Sequence, residues 1–247
     1  MKYFAKIKYL GTDFCGFQVQ NNGRTVQGEL SAACLSLFGK PAKVTGCSRT
    51  DSGVHANEFC LTIECEGATV PPSRLPLAIA RFLPLDLSLY HAEECDADFH
   101  PRYSVKYKEY LYCIKNSRVS DPFTTGRSWL YPATIDDNAL MQMRNAAAHL
   151  VGYHDFASFM SEGSDIKDTH RTVKYLEIER DCDMINIRIA ADGFLYNMVR
   201  IIVGTLCEVA AGRISADDIP EIIASCDRSR AGITAPPEGL YLNRVVY

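Results

Sequence analysis

A chain of 247 residues, 47% apolar and 23% charged, has the composition of an ordinary globular protein with room for a sizeable core, in one large or two small domains. No apolar run reaches the roughly 18 residues of a membrane span, and Lys2, Lys6 and Lys8 interrupt the stretch where a secretory leader would be continuously apolar, so the cytoplasm is the expected compartment and a membrane partner is not. The formal net charge of −4 argues mildly against a polyanion partner, although a basic face can coexist with acidic helices elsewhere.

In chain order, residues 2–10 read as a strand and 25–38 as a helix, because Val26, Leu30, Cys34 and Leu37 recur at helical spacing before Gly39. Strands near 43–48 and 57–65 follow, then a helix over 73–82 with Leu75, Ile79 and Phe82 on one side, then a strand over 87–94. That β-α-β-β-α-β order is the ferredoxin-like split unit, in which two helices cover one face of an antiparallel sheet. Beyond a connection at 98–103 the order repeats without sequence similarity. It comprises a strand over 106–115, a helix over 136–151, strands over 173–179 and 184–190, a long apolar helix over 194–211, a helix over 215–226 whose start Pro220 makes ambiguous, and a strand over 240–247.

The ten cysteines are scattered without any C-x-x-C pair, which removes the usual zinc spacing and suits reduced thiols acting as small hydrophobes. Lys106, Lys108, Lys115, Arg118 and Arg127 form one basic group in sequence, and Lys167, Arg171 and Lys174 another. Such groups are either solvated surface charge or the footprint of a nucleic acid.

One run carries more chemistry than the rest. Ser48-Arg49-Thr50-Asp51-Ser52-Gly53-Val54-His55-Ala56 puts a carboxylate in a tight polar turn between two strands, beside an arginine. On spacing alone, the ordinary reading is that Asp51 bonds nearby backbone amides, as aspartate does in many turns. Arg200 lies on the long apolar helix, on a narrow polar stripe with Tyr196, Asn197 and Gly204. A charge on so apolar a helix either finds a partner or reaches to water along its aliphatic stem. Tyr110 shares a strand face with Tyr112 and Ile114, which is the pattern of a core aromatic.

The run around Asp51 resembles the G-R-T-D-A-G-V-H-A signature of the TruA family of tRNA pseudouridine synthases, and four further segments agree in order. Gly16-Phe17-Gln18-Val19-Gln20 with Thr25-Val26-Gln27 is similar to the family's G-W-Q-x-Q and T-V-Q. Phe99-His100-Pro101-Arg102-Tyr103-Ser104, leading to Tyr110-Leu111-Tyr112, is similar to F-x-A-R and Y-x-Y. The run from Phe194 through Met198, Val199 and Arg200 to Gly204 resembles F-L-x-x-M-V-R-x-I-V-G, and Glu238-Gly239-Leu240-Tyr241-Leu242 resembles the closing E-G-L-Y-L. Five ordered segments over nearly the whole length are far more specific than one motif. Phe17, Ser48, Ser52 and Pro101 depart from the usual Trp, Gly, Ala and Ala, and none of these changes removes a functional group.

The resemblance implies an α+β fold of two ferredoxin-like lobes with antiparallel or mixed sheets, residues 1–103 and 104–247, joined across a central cleft. It also implies isomerisation of uridine to pseudouridine at positions 38, 39 and 40 of the tRNA anticodon stem-loop, by a homodimer, without cofactor or metal. Asp51 takes the role of the essential carboxylate. Arg200 pairs with it, Tyr110 lies against the target nucleotide, Arg49 enters the base stack as the target leaves, Arg102 positions the RNA and Leu240 packs the pocket wall. His55 stays outside the catalytic set. Three other readings stand beside this one: a non-catalytic RNA-binding module using Tyr110 and Tyr112 as stacking platforms, a synthase acting at other RNA positions, and a metal-dependent hydrolase built on Asp51 and His55, for which too few ligands are suitably spaced.

Overall fold

The structure, a computed structural model, describes residues 1–21, 23–163 and 166–247. Its contacts divide the chain into two compact units, Met1–Lys106 with Tyr241–Tyr247, and Tyr107–Leu240. Both units are α+β.

The first unit contains β1 (Lys2–Tyr9), α1 (Val26–Phe38), β2 (Lys43–Gly46), β3 (His55–Glu64), α2 (Leu75–Ala80) and β4 (Leu87–Glu94). Its strands lie in the order β4-β1-β3-β2, every neighbour antiparallel, which is the arrangement the split β-α-β-β-α-β unit demands. Helix α1 forms where the spacing predicts. Thr25 caps its first turn by accepting the Gly28 amide, Gly39 ends it at φ 68°, and Val26, Leu30, Ala33 and Cys34 are buried. Tyr3, Ile7, Phe59, Leu61, Leu75 and Ile79 of the same unit are fully buried as well, and each such side chain contributes about 1.5–3 kcal/mol of burial.

Strand β3 has two different neighbours along the edge opposite β1. Leu61 to Glu64 pair with β2, whereas His55 and Ala56 pair in parallel with Tyr241 and Leu242 of the chain's closing strand, Leu240–Val246. The two residues that follow the Asp51 turn are therefore clamped by a segment more than 180 positions away in sequence.

The second unit contains β5 (Tyr107–Lys115), β6 (Trp129–Leu130), α3 (Asp137–His149), β7 (Gly152–Asp155), β8 (His170–Asp181), β9 (Met184–Ala191), α4 (Met198–Ala210) and α5 (Ile219–Ser225), and the closing strand is β10. Its sheet runs β5-β9-β8-β7 with antiparallel neighbours, and β6 adds a short parallel pairing to β5. Asp136 caps α3 through Oδ1, 2.8 Å from the Ala139 amide. Leu140, Met143, Ala146 and Ala147 of that helix are buried, as are ten of the thirteen residues of α4. Pro220 sits in the first turn of α5, where its missing N–H costs no helical hydrogen bond.

Two sequence expectations change here. Helix α4 starts at Met198, not at 194, because Asn197 holds a left-handed conformation at φ 60° that ends the preceding turn. Consequently Tyr196 and Asn197 lie ahead of the helix rather than on a polar stripe along it. Gly204, also expected on that stripe, faces backbone instead: a Cβ there would fall 1.8 Å from the Ile233 carbonyl oxygen. The reciprocal contact is at Gly232, whose Cβ would meet the Thr205 backbone at 2.6 Å. Two glycines thus let residues 232–235 lie directly on α4.

Candidate active site

In the first unit the Asp51 turn is held from below by the residues that follow β1. The Phe17 amide donates to the Thr50 carbonyl at 3.1 Å, the Gly53 amide to the Phe14 carbonyl at 3.3 Å, and the Val54 amide closes the turn onto the Asp51 carbonyl at 3.2 Å. Side chains add to this: Tyr9 and Thr50 share a hydroxyl pair at 2.8 Å, and Ser52 Oγ donates to the Phe14 carbonyl at 3.2 Å. So close a backbone approach needs glycine. A Cβ on Gly11 would lie 2.0 Å from the Val54 carbonyl oxygen, and one on Gly16, itself at φ +84°, 2.6 Å from that of Thr50. The result is a loop whose middle residue, Thr50, is buried while Arg49 is exposed and Asp51 half-buried.

His55 is structural. It is fully buried, its Nδ1 accepts the Gly11 amide at 2.8 Å, and its ring stacks on Tyr241 at 4.5 Å. A nitrogen that takes an amide hydrogen carries no proton of its own. Phe17, standing where the family has tryptophan, is 3% exposed and stacks on Phe59 at 4.4 Å. The loop before α1 is fastened by Arg24, which forms a two-pronged pair with Asp86 at 2.7 and 2.8 Å, bonds Glu29 at 2.8 Å and lies 4.2 Å over the Phe14 ring. The Arg24 bond, and then its charge, hold the Asp86 carboxyl below its ordinary value against a smaller opposing effect of burial. Arg102, in the segment between β4 and β5, is exposed, with its guanidinium 5.9 Å from the Tyr103 ring.

In the second unit Tyr110 lies on β5 opposite Ile189, 8% exposed, with the edge of Phe194 against it at 4.9 Å and 84°. Two residues on, the Tyr112 hydroxyl donates to the Pro236 carbonyl at 2.7 Å. Burial raises its pKa far above the ordinary value, and Glu238 raises it further while Arg200 acts in the opposite sense. Gly239 fits against the same ring, where a Cβ would come within 2.6 Å, and the strand then begins with Leu240, 6% exposed. Arg200 is half-buried; its Nε donates to the Ala235 carbonyl at 2.7 Å and its Nη1 to Asn197 Oδ1 at 2.8 Å. Asn197 in turn donates to Ser161 Oγ at 3.0 Å.

The structure therefore gathers Arg49 and Asp51 on one loop, and Arg200, Tyr112 and the 235–239 stretch ahead of Leu240 around α4. The sequence put Asn197 beside Arg200 and Gly16 at the head of a motif without giving either a task, and it pointed to none for Ala235, Gly11 or Gly232; the structure shows these five holding the Arg200 side chain and the Asp51 turn. The glycines carried a signal in their type; Ala235 acts through its backbone and carried none.

Lys115 is neutralised by Asp183 at 2.5 Å and Asp121 at 3.6 Å, which removes it from any basic face. All ten cysteines are free, and burial pushes the Cys34 thiol up to about 12 and the Cys113 thiol up to about 11. Among the described residues no group of three or more His, Cys, Asp or Glu could hold a metal ion, and no helix is long and apolar enough to cross a membrane.

A family model described as tRNA pseudouridine synthase matches residues 5–104 and 146–247. A tRNA pseudouridine synthase A of Acetivibrio thermocellus is 44% identical over 242 residues, 98% of this chain and 97% of that one. The same-named protein of Thermoanaerobacter sp. is 43% identical over 243 residues, with the same coverage, and that of Halalkalibacterium halodurans 41% over 240 residues, 97% of this chain and 90% of its own. A chain in a crystal structure of a Cbf5-Nop10-Gar1 complex aligns with 98% of this chain and 48% of its own length at TM-score 0.43 and 11% identity, and the assignment rests on the sequence relatives alone. These relationships make the protein an isomerase. The chain belongs to the tRNA pseudouridine synthase family.

Proposed function

We propose that this protein converts uridine to pseudouridine at positions 38, 39 and 40 of the tRNA anticodon stem-loop, with Asp51 as the essential carboxylate. The observation that carries the reading is the Asp51 turn, a half-buried carboxylate on a loop fixed by five hydrogen bonds and two obligatory glycines. Catalytic groups need such pre-organisation, because chemistry depends on reacting atoms being held in place before the barrier is climbed.

The reaction breaks the bond from uracil N1 to ribose C1′, turns the base while it remains bound, and joins C5 to C1′, with loss of the C5 proton to water and gain of a proton at N1. Asp51 acts either by attacking C1′ or by taking a proton from C2′. A target within a stem must first leave the stack, at a cost of a few kcal/mol that contacts elsewhere on the RNA offset. Exposed Arg49 supplies a planar guanidinium able to fill the vacated stacking position. Tyr110 packs against the target nucleotide, Arg200 orients and keeps ionised the carboxylate, Leu240 closes the pocket wall and Arg102 takes backbone phosphate. The enzyme works in the cytoplasm as a homodimer that needs no metal, and a basic surface assembled from two copies would reconcile a tRNA partner with a net charge of −4.

The test is tritium release from tRNA transcripts labelled at uridine C5, without added metal. Release by wild type and none by Asp51→Asn is expected; no release from transcripts with uridine at 38, 39 or 40 would overturn the assignment.

A further inference from the structure

Tyr103 is 77% exposed, far more than an aromatic side chain ordinarily is, yet it is not loose. His100 stacks on it at 4.3 Å and 29°, and the Arg102 guanidinium lies 5.9 Å from its centroid. The backbone beneath is a closed turn: the Ser104 amide donates to the His100 carbonyl at 3.0 Å, and the Arg102 amide to His100 Nδ1 at 3.2 Å. The turn is anchored on both sides of His100. Phe99 packs edge-on to Phe4 at 5.5 Å and against Tyr247 at 5.1 Å, and the Tyr247 hydroxyl donates to the Pro101 carbonyl at 2.8 Å.

That anchor also places the turn. The Tyr247 hydroxyl bonds the Cys60 thiol, and the Cys47 amide, four residues before Asp51, donates to the Cys60 carbonyl at 2.9 Å. Asp51 therefore lies within about 14 Å of Cys47, the reach of four extended residues, so the anchor of the Tyr103 turn and the carboxylate loop are fastened to the same part of the first unit. An exposed ring with a cation beside it, held rigid near the loop that carries the carboxylate, has the features of a base-stacking platform: a π-face for any base and a positive charge for the phosphate next to it.

We propose that His100, Arg102 and Tyr103 bind a nucleotide of the RNA substrate other than the target uridine, with Tyr103 stacking on its base and Arg102 contacting its phosphate, so that the RNA is held in register while the target leaves the stack. The inference rests on the reading of Asp51 as the reacting group only for the position of the target; the platform's binding of RNA can be measured without turnover.

The experiment compares Tyr103→Ala, Tyr103→Phe and Asp51→Asn by direct tRNA binding at several salt concentrations, by KM and kcat in tritium release, and by the fluorescence of 2-aminopurine placed in turn at each non-target position of the anticodon loop. Tyr103→Ala is expected to weaken binding and raise KM roughly 5- to 100-fold, the range that base–aromatic stacking supplies, with kcat and the salt slope unchanged and Tyr103→Phe close to wild type. At one position 2-aminopurine should be quenched by wild type and by Asp51→Asn but not by Tyr103→Ala. Unchanged binding by Tyr103→Ala, an equal loss in Tyr103→Phe, or quenching at no position would each overturn the platform. Loss of wild-type turnover with the Tyr103 effect on binding intact would overturn the reaction assignment instead. Because the ring is exposed, its removal leaves no cavity in the core, and an unchanged melting temperature serves as the control.

Discussion

Arg200 and Ala235 exchange two hydrogen bonds: the Ala235 amide donates to the Arg200 carbonyl at 3.1 Å, and Arg200 Nε returns to the Ala235 carbonyl at 2.7 Å. With Asn197 Oδ1 taking Nη1, the guanidinium plane is set by two acceptors that carry no charge, so neither neutralises it. Lysine can make one of these bonds but not the fork. Arg200→Lys should therefore lower kcat/KM by about 10- to 100-fold while the unfolding midpoint moves little, and steady-state kinetics beside a urea titration would check both.

The Asp51 turn is held by backbone hydrogen bonds of Thr50, Asp51, Gly53 and Val54 and by the Ser52 hydroxyl. Asp51→Asn preserves size and should leave the fold intact. The expected outcome is a loss of turnover on the order of 10⁴-fold or more, with tRNA affinity within a few-fold of wild type, because phosphate contacts dominate affinity. Filter binding and tritium release on the same preparation measure the two separately.

Gly204→Ala would drive a methyl into the Ile233 carbonyl, 1.8 Å from its ideal position, and neither the helix nor the segment opposite can move freely. The expected destabilisation is about 2–4 kcal/mol, accompanied by lost activity, since Arg200 and Ala235 lie on the two surfaces pushed apart. At Gly39, by contrast, no atom lies within 4 Å and only φ 68° resists a side chain. Gly39→Ala should cost about 1 kcal/mol and leave kinetics untouched. Chemical denaturation of both variants distinguishes close approach from backbone strain.

Arg24→Ala should destabilise the first unit by about 1–2 kcal/mol at neutral pH, a charge-assisted pair discounted for partial exposure. Asp86 in the folded protein titrates below its ordinary value, so the stability this pair contributes is fully present above about pH 4 and is lost as pH falls through the depressed value. The difference between wild type and Arg24→Ala should thus be constant from pH 5 to 7 and shrink toward pH 2–3. Thermal melts across that range would show it, and a difference that grew on acidification would contradict the assigned pair.

Where local chemistry decides structure, the sequence was legible. The helix expected over 25–38 is Val26–Phe38, bounded by the Thr25 cap and by Gly39, and Asp51 lies between two strands as its polar neighbours imply. The start of α4 was missed because apolar periodicity runs unbroken from Phe194 and is blind to a left-handed Asn197. Strands β6 and β7, of two and four residues, are too short to display a period. In the proposed site, residue types marked the candidate side chains, while the backbone that holds Arg200 was hidden: a carbonyl at Ala235 and the space left by Gly232 have no side-chain pattern to read.

The clamp of β10 on His55 and Ala56 has a consequence for how the protein is made. Synthesis delivers the Asp51 turn early and its parallel partner some 185 residues later, so at about 5–20 residues per second the His55–Ala56 end of β3 waits roughly ten seconds or more for its partner on that edge. Until Tyr241 arrives, His55 has no ring to stack on. A nascent chain therefore holds the Asp51 turn in an unfinished setting, and the end of the strand that follows it gains its partner only when β10 leaves the ribosome.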